Sequence, residues 1–255
     1  MARIFSVITV TRNAAATLPA TIASILAQRG ELLEWVVVDG GSTDGTLRMV
    51  EEAGVEELRL LSEPDKGIYD AMNKGLAMAT GDYVVFLNAG DSFHSADTLE
   101  LLAEAALDND YPGVMYGQTQ IVDAARHPLG MRHLRAPEEL TVDSFKEGMV
   151  VCHQAFVVLR KLTTFFNTAY RLSADYEWCI CCTQRSRRNK YVDAILVDYL
   201  AEGMTTANMR ESLRERFSIM CRYFGTLPTV IRHLKFLRRY IGRSGKPTMQ
   251  NTDTQ

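Results

Sequence analysis

With 255 residues, 47% hydrophobic and 23% charged, the chain has the make-up of a folded domain with a sizeable core, which excludes disordered and fibrous classes. Its net charge of −3 gives no global electrostatic case for nucleic-acid binding. Five irregularly spaced cysteines argue against a disulfide framework and for a reducing compartment.

Ile4–Val10 is β-branched and nearly continuous, the pattern of a strand buried on both faces. Thr17-Leu18-Pro19 opens a helix with Leu18, Ile22, Ile25 and Leu26 on its apolar face. Glu34–Asp39 reads as a second strand, Gly40–Gly45 as a turn, and Thr46 to about Ala53 as a helix. Leu58–Leu61 is a third strand, Ile68–Ala79 a third helix and Asp82–Leu87 a fourth strand. This alternation predicts an α/β fold with a mostly parallel sheet flanked by helices.

Further along, Val114–Gly117 reads as a strand that Gln118–Val122 extends, and Leu129–Glu147 as loop. Cys152–Val158 is expected to be a strand, Asp175–Thr183 a helix and Tyr191–Val197 a strand. Cys179-Ile180-Cys181-Cys182 lacks a second ligand pair at zinc spacing and reads as small residues on a buried helix. Met1–Val7 lacks the pattern of a secretory signal, and no apolar run approaches the ~20 residues of a membrane span.

In parallel α/β sheets, ligands bind beyond the carboxyl ends of the strands. The polar clusters Thr9-Val10-Thr11, Asp39, Asp65-Lys66 and Asn88–Asp91 all fall there. Taken singly, each has a structural explanation. Asp39 can cap a turn, Lys66 can be a solvated charge, Asp91 and Asp175 can be caps, and His153 can be a core histidine. Their joint order is the informative feature.

That order resembles the family 2 glycosyltransferases of GT-A fold, which are inverting enzymes using nucleotide-sugar donors. The resemblance rests on Thr9–Asn13, Val37–Thr46, Asp65–Gly75, Gly81–Asp91 and Ser173–Glu177, and covers about residues 4 to 205. It is densest before residue 100 and is nearest to bacterial members that build surface polysaccharides. It implies that Thr9 and Thr11 line the nucleotide-base pocket, with Asp39 bonding the base, usually uracil. Lys66 and Asp70 would close over the nucleotide and its sugar, and Asn88, at a position where the family has a metal-binding aspartate, would also bind the nucleotide. Asp91 would ligate a divalent cation, Mn²⁺ or Mg²⁺, and Asp175 would be the catalytic base. His153 and Gln154 would wall the acceptor side. Two departures stand out: Asn88-Ala89-Gly90-Asp91 replaces the Asp-Ser-Asp-Asp of many relatives, and Gly40 replaces a second Asp.

The implied function is transfer of a sugar, from a UDP-sugar, to a saccharide or lipid-linked saccharide in polysaccharide or lipopolysaccharide synthesis. A nucleotidyltransferase on a similar sheet and a non-catalytic scaffold stay open as alternatives; the missing carboxylates at Ala89 and Gly90 support the scaffold, and the intact Asp91 and Asp175 argue against it. Neither a Gly-x-Gly-x-x-Gly turn nor a P-loop occurs, which argues against dinucleotide and P-loop chemistry.

Residues 1–205 are expected to form the catalytic domain, 206–246 a basic helical extension and 247–255 a disordered tail. The extension reads as two helices broken near Gly225 and Pro228, the second basic and amphipathic. Two partners fit it, an anionic membrane surface and a protein surface that includes a second copy of the chain; nucleic acid is not expected. The expected location is the cytoplasm, including the inner face of the plasma membrane.

Overall fold

The computed structural model describes residues 4–201 and 208–243, with side chains to residue 234. A nine-stranded sheet organises the chain, in the order β3 (Leu58–Ser62), β2 (Leu33–Asp39), β1 (Phe5–Thr11), β4 (Tyr83–Phe86), β8 (Phe156–Leu159), β6 (Val114–Val122), β9 (Asn189–Leu200) and β5 (Ser92–Phe93), with β7 (Pro128–Met131) paired to β6. β1 (Phe5–Thr11), β2 (Leu33–Asp39), β3 (Leu58–Ser62) and β4 (Tyr83–Phe86) are mutually parallel. They are linked by α1 (Leu18–Leu26), α2 (Thr46–Glu51) and α3 (Ile68–Met78). Every residue of β1 and β2 is buried, which is why both strands read as apolar runs rather than as alternation.

Beyond β4 the sheet becomes mixed. β8 (Phe156–Leu159) runs antiparallel to both β4 and β6 (Val114–Val122). β9 (Asn189–Leu200) is parallel to β6, and the short β5 (Ser92–Phe93) is antiparallel to β9. β7 (Pro128–Met131) folds back on β6 as a hairpin, an arrangement open only to antiparallel neighbours. The parallel character expected from the sequence is therefore concentrated in the first four strands. α4 (Thr98–Asp108) and α5 (Ala174–Arg185) complete the layers around the sheet.

Adjacent residues on a strand point to opposite faces, so the sheet feeds two cores. Ile8, Val36, Val38, Phe86, Phe156 and Trp178 belong to one, and Phe5, Val7, Trp35, Val37, Val85 and Val157 to the other. α3 lies close on the first face because Gly75 has no Cβ, which would otherwise run into Ile8.

Two expectations need correction. Within Cys152–Val158 only Phe156 onward is strand: His153–Ala155 form a 3₁₀ turn, closed by the Ala155 N–H to the Cys152 carbonyl at 3.0 Å. The span expected as loop contains β7 and a 3₁₀ helix over Val142–Glu147, capped reciprocally by Thr141 and Ser144.

The extension forms α6 (Met209–Phe224) and α7 (Thr226–Arg243), separated by Gly225 at φ +85°. Pro228 falls in the first turn of α7, where its missing N–H has no intrahelical partner to lose. Ile219 and Met220 of α6 enter the same core as Trp178, and the Ser173 and Ser212 hydroxyls meet at 3.1 Å. The expected boundary at 205/206 and the tail 247–255 lie outside the described residues. No described helix is long and apolar enough to cross a membrane.

Candidate active site

Parallel register puts Thr11 and Asp39 side by side at the carboxyl ends of β1 and β2. Asp39 is fully buried, and its carboxylate closes the following turn. Oδ2 accepts the Gly41 and Ser42 N–H groups at 3.0 and 2.8 Å and the Ser62 hydroxyl at 2.8 Å, while the Ser42 hydroxyl donates to Oδ1. The β1 loop clasps this turn: the Asn13 N–H reaches Ser42 Oγ at 2.7 Å, and Asn13 Oδ1 accepts from the Thr43 N–H at 2.9 Å. The Thr11 hydroxyl is buried among the described residues without a partner. Thr9 is placed differently, in the core, where its hydroxyl accepts the Trp35 indole N–H at 2.9 Å.

Lys66 and Asp70 sit at the mouth of α3. Asp70 Oδ2 accepts the Lys66 N–H at 3.1 Å, and Asp65 Oδ1 accepts the Gly67 N–H at 2.8 Å, so both carboxylates satisfy amides at the helix entrance. The Lys66 side chain is exposed. A Cβ on Gly40 would collide with the Asp65 carboxylate, so that carboxylate lies where a side chain at position 40 would start.

Asn88, Asp91, His153, Gln154 and Asp175 converge on one cleft of about 370 Å³, which Tyr69 also lines. Asp175 enters from the first turn of α5. Its Oδ1 accepts the Tyr69 hydroxyl at 3.0 Å, and its Oδ2 stands 3.1 Å from His153 Nδ1. His153 Nε2 in turn lies 3.3 Å from Asn88 Nδ2. Asp91 receives the Gln154 side-chain N–H at 2.7 Å on one oxygen and the Leu200 backbone N–H at 3.0 Å on the other. Arg126 steadies the Asp91 loop by donating to the Gly90 carbonyl at 2.7 Å and to Ser92 Oγ.

The two carboxylates differ in charge behaviour. Burial raises the Asp91 carboxyl to about 6, against the opposing bonds from Gln154 and Leu200. Burial pushes Asp175 upward too, but the hydrogen bond and charge of His153, with help from Arg216 and Tyr69, hold it below the usual carboxylate range. Burial, reinforced by the Asp175 charge, drives the Tyr69 hydroxyl far up and keeps it a neutral donor. Asp175 is therefore an ionised, oriented acceptor at neutral pH, as a general base must be.

A divalent cation fits the donor set sparsely. Asn88 Oδ1 is buried without a partner among the described residues, and Asp91, in the same loop, supplies a carboxylate; both are hard oxygen donors. No group of three or more His, Cys, Asp or Glu side chains is arranged as a metal site among the described residues. An ion held here would complete its shell with water and ligand oxygens.

The sequence reading did not single out Tyr69, Arg126, Arg132, Arg171 or Arg216 as site residues. Tyr69 lies inside the quoted Asp65–Gly75 segment, where its spacing from the helix mouth was the available signal. Arg216 lies among many surface cations and carries no local mark of its position.

Comparisons with known proteins agree with this architecture. The family described as "Glycosyl transferase family 2" matches residues 6–163. A "PGL/p-HBAD biosynthesis glycosyltransferase" of Mycobacterium tuberculosis is 33% identical over 205 residues, covering 78% of this chain and 77% of the relative. S. aureus TarS 1-349 in complex with UDP-GlcNAc has the same fold at TM-score 0.69 and 19% identity, covering 95% of this chain and 74% of that one. The mannosyltransferase PcManGT of Pyrobaculum calidifontis, in complex with GDP-Man and Mn²⁺, matches at TM-score 0.63 and 17% identity, over 97% and 77% of the two chains. The fold, the extent of the family match and the similarity to curated glycosyltransferases together establish that this chain belongs to glycosyltransferase family 2.

Proposed function

We propose that the chain transfers a sugar from a UDP-sugar to a hydroxyl of a saccharide or lipid-linked acceptor, with inversion at the anomeric carbon. The observation that carries this reading is Asp175: a half-buried, ionised carboxylate held at the cleft between Tyr69 and His153. Asp175 takes the proton of the acceptor hydroxyl as its oxygen attacks the anomeric carbon. The bond from that carbon to the diphosphate oxygen breaks, and the nucleoside diphosphate leaves with the electron pair. One base suffices for such a single displacement.

His153 and Gln154 wall the acceptor side, Thr11 and Asp39 the base side, and Lys66 and Asp70 the entrance between them. Asp91 with Asn88 would hold Mn²⁺ or Mg²⁺, which supplies charge neutralisation for the departing diphosphate. α7 would carry the enzyme to an anionic membrane surface at the cytoplasmic face. Leu227, Ile231 and Leu234 are exposed on it at helical spacing, while Arg232 is paired with Glu147. The proposed product class is a cell-surface polysaccharide or lipopolysaccharide.

Calorimetric titration of UDP with and without Mn²⁺, on wild type and Asp91→Ala, tests the donor and metal assignments. The expected result is UDP binding strengthened by Mn²⁺ in wild type only. Absence of UDP binding under both conditions would remove the UDP-sugar reading.

A further inference from the structure

Three arginines line the cleft that holds Asp175, and they come from separate parts of the chain. Arg132 follows β7, Arg171 precedes α5, and Arg216 lies on α6. None is paired with a cleft carboxylate: Asp91 is engaged by Gln154 and Leu200, and Asp175 by Tyr69 and His153. Arg132 donates to the Met149 carbonyl at 3.1 Å. The Arg171 and Arg216 guanidiniums have no hydrogen bond or ion pair among the described residues, and Arg216 Nε is buried without a partner.

The last two cations are held in a fixed relation. Glu215, next to Arg216, accepts the Arg171 and Leu172 backbone N–H groups at 2.7 and 2.9 Å, which ties the Arg171 loop to α6. An unpaired N–H inside a protein is unfavourable, and a cation beside a general base weakens that base. Both penalties are relieved when an anion occupies the space between the guanidiniums. The planar fork of donors matches carboxylate and phosphate oxygens, and of the two it is phosphate that a nucleotide-sugar carries.

We propose that Arg132, Arg171 and Arg216 form a phosphate-binding subsite beside Asp175. This rests on the glycosyltransferase reading of the cleft and goes further, by assigning three residues and a ligand class. The phosphate belongs either to the donor's diphosphate or to a phosphorylated acceptor. In either case its arrival neutralises Arg216 and strengthens the base as the substrates assemble.

The test is calorimetry of UDP, uridine and inorganic phosphate with wild type, Arg171→Gln and Arg216→Gln. Arg214→Gln, on the exposed side of the same helix, serves as a charge-matched control. Arg171 is on an exposed loop, so its variant keeps the test usable if Arg216→Gln fails to fold. Loss of a charge-assisted contact is expected to weaken phosphate-bearing ligands by about tenfold or more, with uridine and the control unchanged. A donor subsite shows this loss for UDP, and saturating UDP blocks inorganic phosphate. An acceptor subsite leaves UDP affinity intact, while inorganic phosphate binds the UDP-saturated enzyme and is weakened in both variants. Unchanged affinity for both UDP and phosphate in folded variants would overturn the proposal. If wild type binds phosphate in an arginine-dependent way but not UDP, the subsite stands and the nucleotide assignment falls.

Discussion

His153 Nδ1 stands 3.1 Å from Asp175 Oδ2, and this contact opposes the effect of burial on the carboxylate. The 3₁₀ turn at His153–Ala155 makes the contact possible by directing two consecutive side chains into the cleft. His153 reaches Asp175, and Gln154 reaches Asp91. One short turn therefore links the candidate base to the candidate metal ligand.

Replacing His153 with leucine removes the opposing hydrogen bond and charge and leaves burial dominant. The Asp175 carboxyl should then protonate at higher pH. The acid limb of kcat/KM is expected to move upward in His153→Leu, read from a pH–rate profile with a fixed donor. An unmoved limb would mean that Asp175 is not the titrating base.

Asp91 gives the opposite linkage. Its folded-state carboxyl lies near 6 against an ordinary 3.8, so the native state binds the extra proton between those values. The stabilisation that this proton brings is complete below the unfolded value and lost as pH rises through about 6. Asp91→Asn removes the term. Relative to wild type, the variant should gain about 3 kcal/mol of stability between pH 4 and pH 7, measured by urea unfolding. A pH-independent difference would contradict the burial argument. Metal-assisted UDP binding should weaken over the same window as pH falls, because a protonated Asp91 is a poor ligand.

Thr9 and Thr11 should separate cleanly. Thr9→Val strands the buried Trp35 indole N–H and should destabilise the fold by about 1–3 kcal/mol. UDP affinity should be unchanged, because the Thr9 side chain lies in the core. Thr11→Val removes a buried hydroxyl that has no partner, so stability should hold or rise while UDP binding weakens. Paired thermal melts and UDP titrations check both.

The strands and helices of the first half were legible because buried β-branched runs and turn residues mark their ends locally. β1 and β2 needed little beyond pattern. The His153 turn is not legible: Ala155–Val158 is an apolar run with no turn residue before it, and only the geometry of the cleft shows why His153 and Gln154 leave the ladder. The mixed half of the sheet depends on pairings between distant segments, such as β6 with β9, which leave no local signature. Asn88, Asp91, His153, Gln154 and Asp175 were each selected from the sequence, and their meeting in one cleft is the structural finding. The arginines escaped because a cation facing inward and one facing water look alike in a sequence.

The role of Asp175 as the base is measured most directly by release of UDP from UDP-sugars by wild type and Asp175→Asn, with water as acceptor. UDP affinity, followed in parallel by calorimetry, should be the same in both proteins. Wild type is expected to free a sugar of inverted anomeric configuration, and the variant to be slower by about 10²- to 10⁴-fold. Equal rates in the two proteins, at equal UDP affinity, would contradict that role.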